Sequence, residues 1–268
     1  MLRELILAAL DAGCSEILMG IGGSATNDCG VGMAQALGVS FKDGSGKEIG
    51  FGGGSLLSLA SIDISGLDPR IKDTKITVAC DVTNPLCGLS GASAIYGPQK
   101  GANKEMVKLL DKALAHCASI MERDLGVYIT EIPGSGAAGG LGGGLVGFLG
   151  AQLLLGIDAV LSLVSFDSLI KDADLVITGE GKLDYQTVYG KVPSGVARWT
   201  KRVKDIPVIA IVGDIGDGFE AVYDTGIDAV ISTVNKAMPL TEAMERSREL
   251  LVETGERVAR LLKIGNRI

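Results

Sequence analysis

Three short apolar runs near the C-terminus, 173–178 (ADLVIT), 207–212 (PVIAIV) and 228–232 (DAVIS), alternate with helix-like stretches at 193–204 and 218–224. Strands joined through helices in this way close as parallel strands with right-handed crossovers. A last helix is expected over 241–263. The beginning of the chain follows the same scheme. A helical face at Leu2, Ile6 and Leu10 precedes a buried strand at 16–20 (EILMG), a glycine loop and a helix over 31–37. The fold class expected is α/β with parallel sheets.

Between these parts the texture changes. Residues 41–54 (FKDGSGKEIGFGGG) have hairpin chemistry with Asp43-Gly44 as the turn. A strand at 75–80 (KITVAC) leads into a long loop. A strong amphipathic helix follows over 104–123, with Met106, Leu109, Leu110, Ala113, Leu114, Cys117 and Ile120 on its apolar side. Glycine is the outlier of the composition: 39 of 268 residues, about twice the usual share. The glycines lack a collagen-type period, so they imply tight loops where backbone approaches something closely.

Composition excludes several functions. A net charge of −7 and one Trp, five Tyr and five Phe argue against nucleic acid and acidic membranes as partners. Five cysteines without a CxxC pair and a single histidine, His116, supply neither a Cys/His zinc site nor a His-based catalytic triad. Cys14 and Cys117 fall in helix-like stretches and are expected to be buried. With no leader and no long charge-free span, a cytoplasmic protein is expected.

The GxGxxG pattern is matched by Gly134, Gly136 and Gly139, by Gly142, Gly144 and Gly147, and in its Gly/Ala form by Gly20, Gly22 and Ala25. Only the last lies after a strand and before a helix, as a dinucleotide site requires. Close packing of backbone explains each match equally well. No Walker A sequence occurs, because Glu, Leu and Val follow the three Gly-Lys pairs.

Three loops combine glycine with groups that phosphoryl transfer needs. In the first, Gly22 and Gly23 offer bare N–H groups to an anion, Ser24 and Thr26 add donors, and Asn27 and Asp28 suit a cation or a substrate hydroxyl. The competing reading is a helix cap. In the second, Gly179, Glu180, Gly181, Lys182 and Asp184 follow a strand, where open α/β sheets bind ligands. Glu180 and Asp184 suit Mg²⁺ or a proton, and Lys182 or Lys191 a phosphate. In the third, Asp81 and Asn84 exit the 75–80 strand as hydrogen-bonders to substrate, or simply build an Asn-Pro turn.

Taken in order, GIGGSATNDCGVGMAQALG, CDVTNPLCGLSGASAIYGPQKGA, PGSGAAGGLGGG, DLVITGEGKLDYQT, GKVPSGVA and PVIAIVGD resemble the bacterial glycerate kinase type 1 family over nearly the whole chain. The resemblance implies ATP-dependent, Mg²⁺-assisted phosphorylation of D-glycerate, with the 2-hydroxyl favoured over the 3-hydroxyl. It also implies a Rossmann-like domain, expected at 1–38 and 166–268, an inserted α/β domain at 39–165, and an active site in the cleft between them. On this reading Gly22, Gly23, Ser24, Thr26, Gly179, Gly181 and Lys182 hold nucleotide phosphate. Asn27, Asp81 and Asn84 hold substrate, Glu180 places the metal, and Asp184, ahead of Asp28, acts catalytically with Lys191.

Family members normally begin with a strand leading to Asp-Ser-Phe-Lys and later carry Asp-Gly-Gly-Glu-Gly. Both are absent from these 268 residues, so a shortened member with an incomplete Rossmann-like sheet is expected. A homo-oligomer is compatible with the edge this would leave. The rival readings are a fragment that binds nucleotide or a small acid, or packs with a partner, without catalysis, and a nicotinamide-binding protein built on the 20–25 turn with Asp43 near the ribose.

Overall fold

The computed structural model describes residues 2–185, 187 and 191–265. The chain divides into two compact units, Met1–Ala159 and Val160–Ile268.

In the first unit, helix α1 (Leu2–Asp11) buries Ile6 and Leu10, the face its periodicity predicts. Strand β1 (Glu16–Gly20) then leads through the glycine loop to α2 (Val31–Ala36). An antiparallel pair follows, β2 (Ser40–Asp43) with β3 (Leu59–Asp63). The 43–47 turn is present, closed by the Asp43 N–H on the Lys47 carbonyl, but the main partner of β2 is β3. Strand β4 (Lys75–Ala79) pairs in parallel with β1 on one side and β5 (Gln152–Leu154) on the other.

Between β4 and β5 lie α3 (Ala92–Tyr96), α4 (Lys104–Leu125) and α5 (Leu141–Leu149). The Asn103 side chain caps α4 by accepting from the N–H groups of Glu105 and Met106. Ala113, Leu114, Cys117 and Ile120 of α4 are buried, as its amphipathic spacing predicts, and Met121 joins them, whereas Met106 and Leu109 are about half exposed. The ring of Phe41 meets Phe148 edge-on, 5.2 Å between centroids, at the centre of this core. Cys14 lies outside α1 and is exposed, contrary to expectation.

Helix α6 (Gly156–Leu163) spans the boundary between the units. The second unit contains α7 (Phe166–Ile170) and a parallel sheet of β6 (Val176–Leu183), β7 (Val208–Ile215) and β8 (Ala229–Ser232), in that order. Helix α8 (Val192–Val203) packs on β6 and β7 through Val196, Ala197 and Thr200. The closing helix is broken at Arg246 into α9 (Leu240–Glu245) and α10 (Ser247–Gly265). Among the described residues no helix is long and apolar enough to cross a membrane.

Two expectations differ from this architecture. The sequence groups residues 1–38 with 166–268, whereas among the described residues β1 pairs with β4 in the first unit and β6, β7 and β8 pair with one another in the second. Strand–helix alternation reveals that strands exist and run parallel, not which strands pair. The second difference is in β6, which continues through residues 179–183 instead of ending at Thr178. Its glycine- and charge-rich end stays extended because it is paired residue by residue with β7, Glu180 opposite Val212 and Lys182 opposite Asp214.

Candidate functional site

The loop from β1 to α2 separates two cavities. One of about 290 Å³ is lined by Gly22, Gly23, Ser24, Asp81, Tyr96 and Lys100, among others. The other, about 580 Å³, shares residues 22–24 and adds Thr26, Asp28 and parts of α1 and α2. A Cβ built on Gly22 or Gly23 would meet no atom within 4 Å. Here the absence of side chains serves no packing contact; Gly23 takes a left-handed φ of 71°, which favours glycine, while Gly22 leaves open space beside the cavities.

Around this loop the side chains are well defined. The Lys100 ammonium donates to Ser24 Oγ at 2.7 Å and to the Thr26 carbonyl at 2.5 Å. Burial pushes the Lys100 pKa down, and the nearby Asp28 carboxylate opposes that shift. Buried Asp28 accepts from Gly30 N at 3.1 Å and from Gly32 N at 3.2 Å. It therefore caps the start of α2, as the competing reading of that loop holds. Asn27 donates from Nδ2 to buried Ser93 Oγ at 2.9 Å, while its Oδ1 is buried without a hydrogen-bond partner.

The 81–84 segment divides similarly. Asp81 Oδ1 accepts from Gly156 N at 2.7 Å, anchoring the start of α6, and Asp81 also lines the smaller cavity. Asn84 is spent on its own loop: Nδ2 donates to the Ser90 carbonyl at 2.8 Å, and Oδ1 accepts from Tyr96 Oη at 2.7 Å. Its effect on the cavity passes through Tyr96.

In the second unit, Glu180, Lys182 and Asp184 take alternate positions at the end of β6 and just beyond it. Lys191 Nζ lies 3.6 Å from Asp184 Oδ1. Glu180 Oε2 is buried with no hydrogen-bond partner. Burial raises the Glu180 pKa, Lys191 works against the rise, and Asp184 adds to it. Lys182 pairs with Asp214 at 3.5 Å, both well exposed, an arrangement worth little energetically. Gly179 differs from Gly22 and Gly23: a Cβ there would lie 2.8 Å from the Ile211 carbonyl, so strand packing requires glycine, whereas at Gly181 the space is open.

Among the described residues no group of three or more His, Cys, Asp or Glu side chains suits a metal ion. Mg²⁺ bound together with nucleotide phosphates takes only one or two carboxylates, and the unpartnered Glu180 oxygen beside Asp184 fits that role.

The structure thus gathers Gly22, Gly23, Ser24, Thr26, Asn27, Asp28 and Asp81 around Lys100 in the first unit, with Asn84 behind Tyr96. Glu180, Asp184 and Lys191 form a second group in the other unit. Tyr96 and Ser93 were not singled out from the sequence; Lys100 lies in 97–101 (GPQKG), the continuation of the third loop, and was given no role there. The available signal was a lysine between two glycines in GPQKGA.

A family model described as the glycerate kinase family matches residues 2–263. The chain belongs to the glycerate kinase family. A glycerate kinase of Halalkalibacterium halodurans is 53% identical over 256 residues, covering 96% of this chain and 67% of that protein. A glycerate 2-kinase of Escherichia coli K12 is 50% identical over 264 residues, 98% of this chain and 69% of the relative. The crystal structure of a Salmonella typhimurium LT2 protein, provisionally assigned as glycerate kinase 2, superposes with a TM-score of 0.82 at 49% identity. It covers 99% of this chain and 69% of that one. Glycerate kinases of Bacillus subtilis and Haemophilus influenzae are 53% and 51% identical.

Proposed function

We propose that this chain phosphorylates D-glycerate at its 2-hydroxyl, with ATP as donor and Mg²⁺ as the accompanying cation. The observation that carries the reading is the open pair Gly22–Gly23 beside Ser24 and Lys100, bordering two cavities at the end of a parallel strand. The family and the relatives named above support glycerate as the acceptor, and the E. coli name favours the 2-position.

ATP supplies the transferred phosphoryl group, and Mg²⁺ screens its charge. The larger cavity of the first unit is the one suited to the phosphates, held by the N–H groups of Gly22 and Gly23 with Thr26. Glu180 would hold the cation, which would relieve the cost of a buried oxygen without a partner. Asp184 takes the proton of the attacking hydroxyl, and Lys191 balances its charge from 3.6 Å. Asp28, with both oxygens engaged by amides, orients the loop that carries Asn27. Asp81 contacts the acid from the smaller cavity. Most of the acceleration comes from positioning and charge neutralisation, since phosphoryl transfer asks little covalent chemistry of the protein.

Glycerate-dependent ADP release, with the product isomer identified by ³¹P NMR, tests the reading. No release above the glycerate-free control overturns it, and a 3-phospho product overturns the assigned position. Asp184→Asn should lower kcat/KM by about 10²- to 10³-fold; a change under about threefold removes Asp184 from its role.

A further inference from the structure

We propose that Lys100, together with Ser24, is the anchor for the carboxylate of the small hydroxy acid, and that the cavity of about 290 Å³ is the acid's subsite. The inference rests on the glycerate kinase reading and deepens it by assigning the substrate's recognition groups. The cavity is small, at the lower edge of the range of about 300–1,000 Å³ usual for drug-sized ligands. It suits a three-carbon acid better than a nucleotide.

Its chemistry has two signs. Lys100 has three N–H donors, of which two are directed at Ser24 Oγ and the Thr26 carbonyl, leaving one for an anion. Ser24 accepts from Lys100, so its own hydroxyl proton is available to the same anion. A carboxylate has two oxygens to meet these two donors. The opposite requirement is met by Asp81, which lines the same cavity and gives one oxygen to Gly156 N. Its other oxygen can accept from a substrate hydroxyl. A cation for the carboxylate and an acceptor for a hydroxyl within one cavity select a hydroxy acid over a plain alcohol or a plain acid. The partly buried ammonium, whose pKa is lowered by burial, regains by binding a carboxylate what it loses in solvation.

Calorimetric titration of the full chain with D-glycerate, with its neutral amide glyceramide, and with ADP separates the possibilities. Lys100→Met should weaken D-glycerate about 30-fold, while glyceramide and ADP stay within about threefold. Equal losses for acid and amide would mean that Lys100 only supports the loop, and would overturn the proposal. A loss for ADP with D-glycerate unchanged would move Lys100 to the phosphates, and no loss for either would remove it from the site; both also overturn it. Ser24→Ala removes one of the two hydrogen bonds of Lys100 but keeps the ammonium and its bond to the Thr26 carbonyl, and it decides the matter even if Lys100→Met does not fold. It should cost about fivefold for D-glycerate and less for glyceramide, whose carbonyl accepts from the same hydroxyl without a charge, and an unchanged affinity for D-glycerate overturns the proposal. The two readings fail separately. A wild-type chain that phosphorylates D-glycerate, with variants that bind it normally, defeats only the subsite, whereas a wild-type chain that neither binds nor phosphorylates it defeats both.

Discussion

Two glycine runs of the first unit look alike on paper and differ in what surrounds them. At Gly22 and Gly23 an added methyl group would touch nothing. At Gly136, Gly139 and Gly144 it would lie 2.1, 2.1 and 1.9 Å from the carbonyl oxygens of Pro85, Thr26 and Cys29. The second run is small because chain passes against chain. The first is small where no chain is present: Gly23 takes a left-handed φ of 71°, and Gly22 leaves the open space that the proposed function gives to an anion. The difference also sorts the GxGxxG matches: those at 134–139 and 142–147 are packing devices, and the one at 20–25 borders the cavities. The packing run in turn holds the open one, since Gly139 lies against the carbonyl of Thr26 and Gly144 against that of Cys29.

The largest test of this contrast is Gly144→Ala. The clash is with backbone, which no side-chain rotation relieves, so a loss of about 4 kcal/mol is expected in urea unfolding. A loss below about 1 kcal/mol would show that the two runs are not different in kind. Next comes Gly179→Ala in the second unit, where the contact with the Ile211 carbonyl predicts a loss of about 2 kcal/mol. Gly181→Ala, with open space around it, is the matched control and should stay near the parent in the same measurement.

Gly22→Ala should leave the unfolding midpoint unchanged within about 0.5 kcal/mol yet lower kcat/KM about tenfold, because the methyl group occupies ligand space. Stability lost without activity lost would reverse the assignment. The smallest effect concerns Glu180. Burial raises its pKa, so the folded chain binds that proton more tightly than the unfolded chain. Stability therefore falls as pH rises from about 4.5 through the raised value. Glu180→Gln should accordingly raise the urea midpoint at pH 8 and leave it unchanged near pH 4, where the carboxyl is already neutral. An equal shift at both pH values would mean that packing, not charge, is responsible.

The helices were legible because their periodicity reports burial directly. Ile6 and Leu10 in α1, and the run from Ala113 to Ile120 in α4, face the core as their spacing requires. The end of β6 was not legible: GEGKL reads as a loop, and only pairing with β7 keeps it extended. The residues of the 22–28 loop were recognised as a group. The cap that Asp28 gives to α2 was one of that loop's two readings. That Lys100 holds Ser24 was not legible, because the ammonium comes from 76 positions further along the chain than Ser24. No local pattern encodes that approach.

The sequence by itself determined the parallel α/β class, the family and the set of loops rich in glycine and charge, because these depend on periodicity and on neighbouring residues. Which strands pair, which glycines face open space and which lysine reaches the 22–26 loop were decided only by the tertiary structure. Those properties depend on distances between segments far apart in the chain, and a glycine's neighbours in sequence do not reveal its neighbours in space.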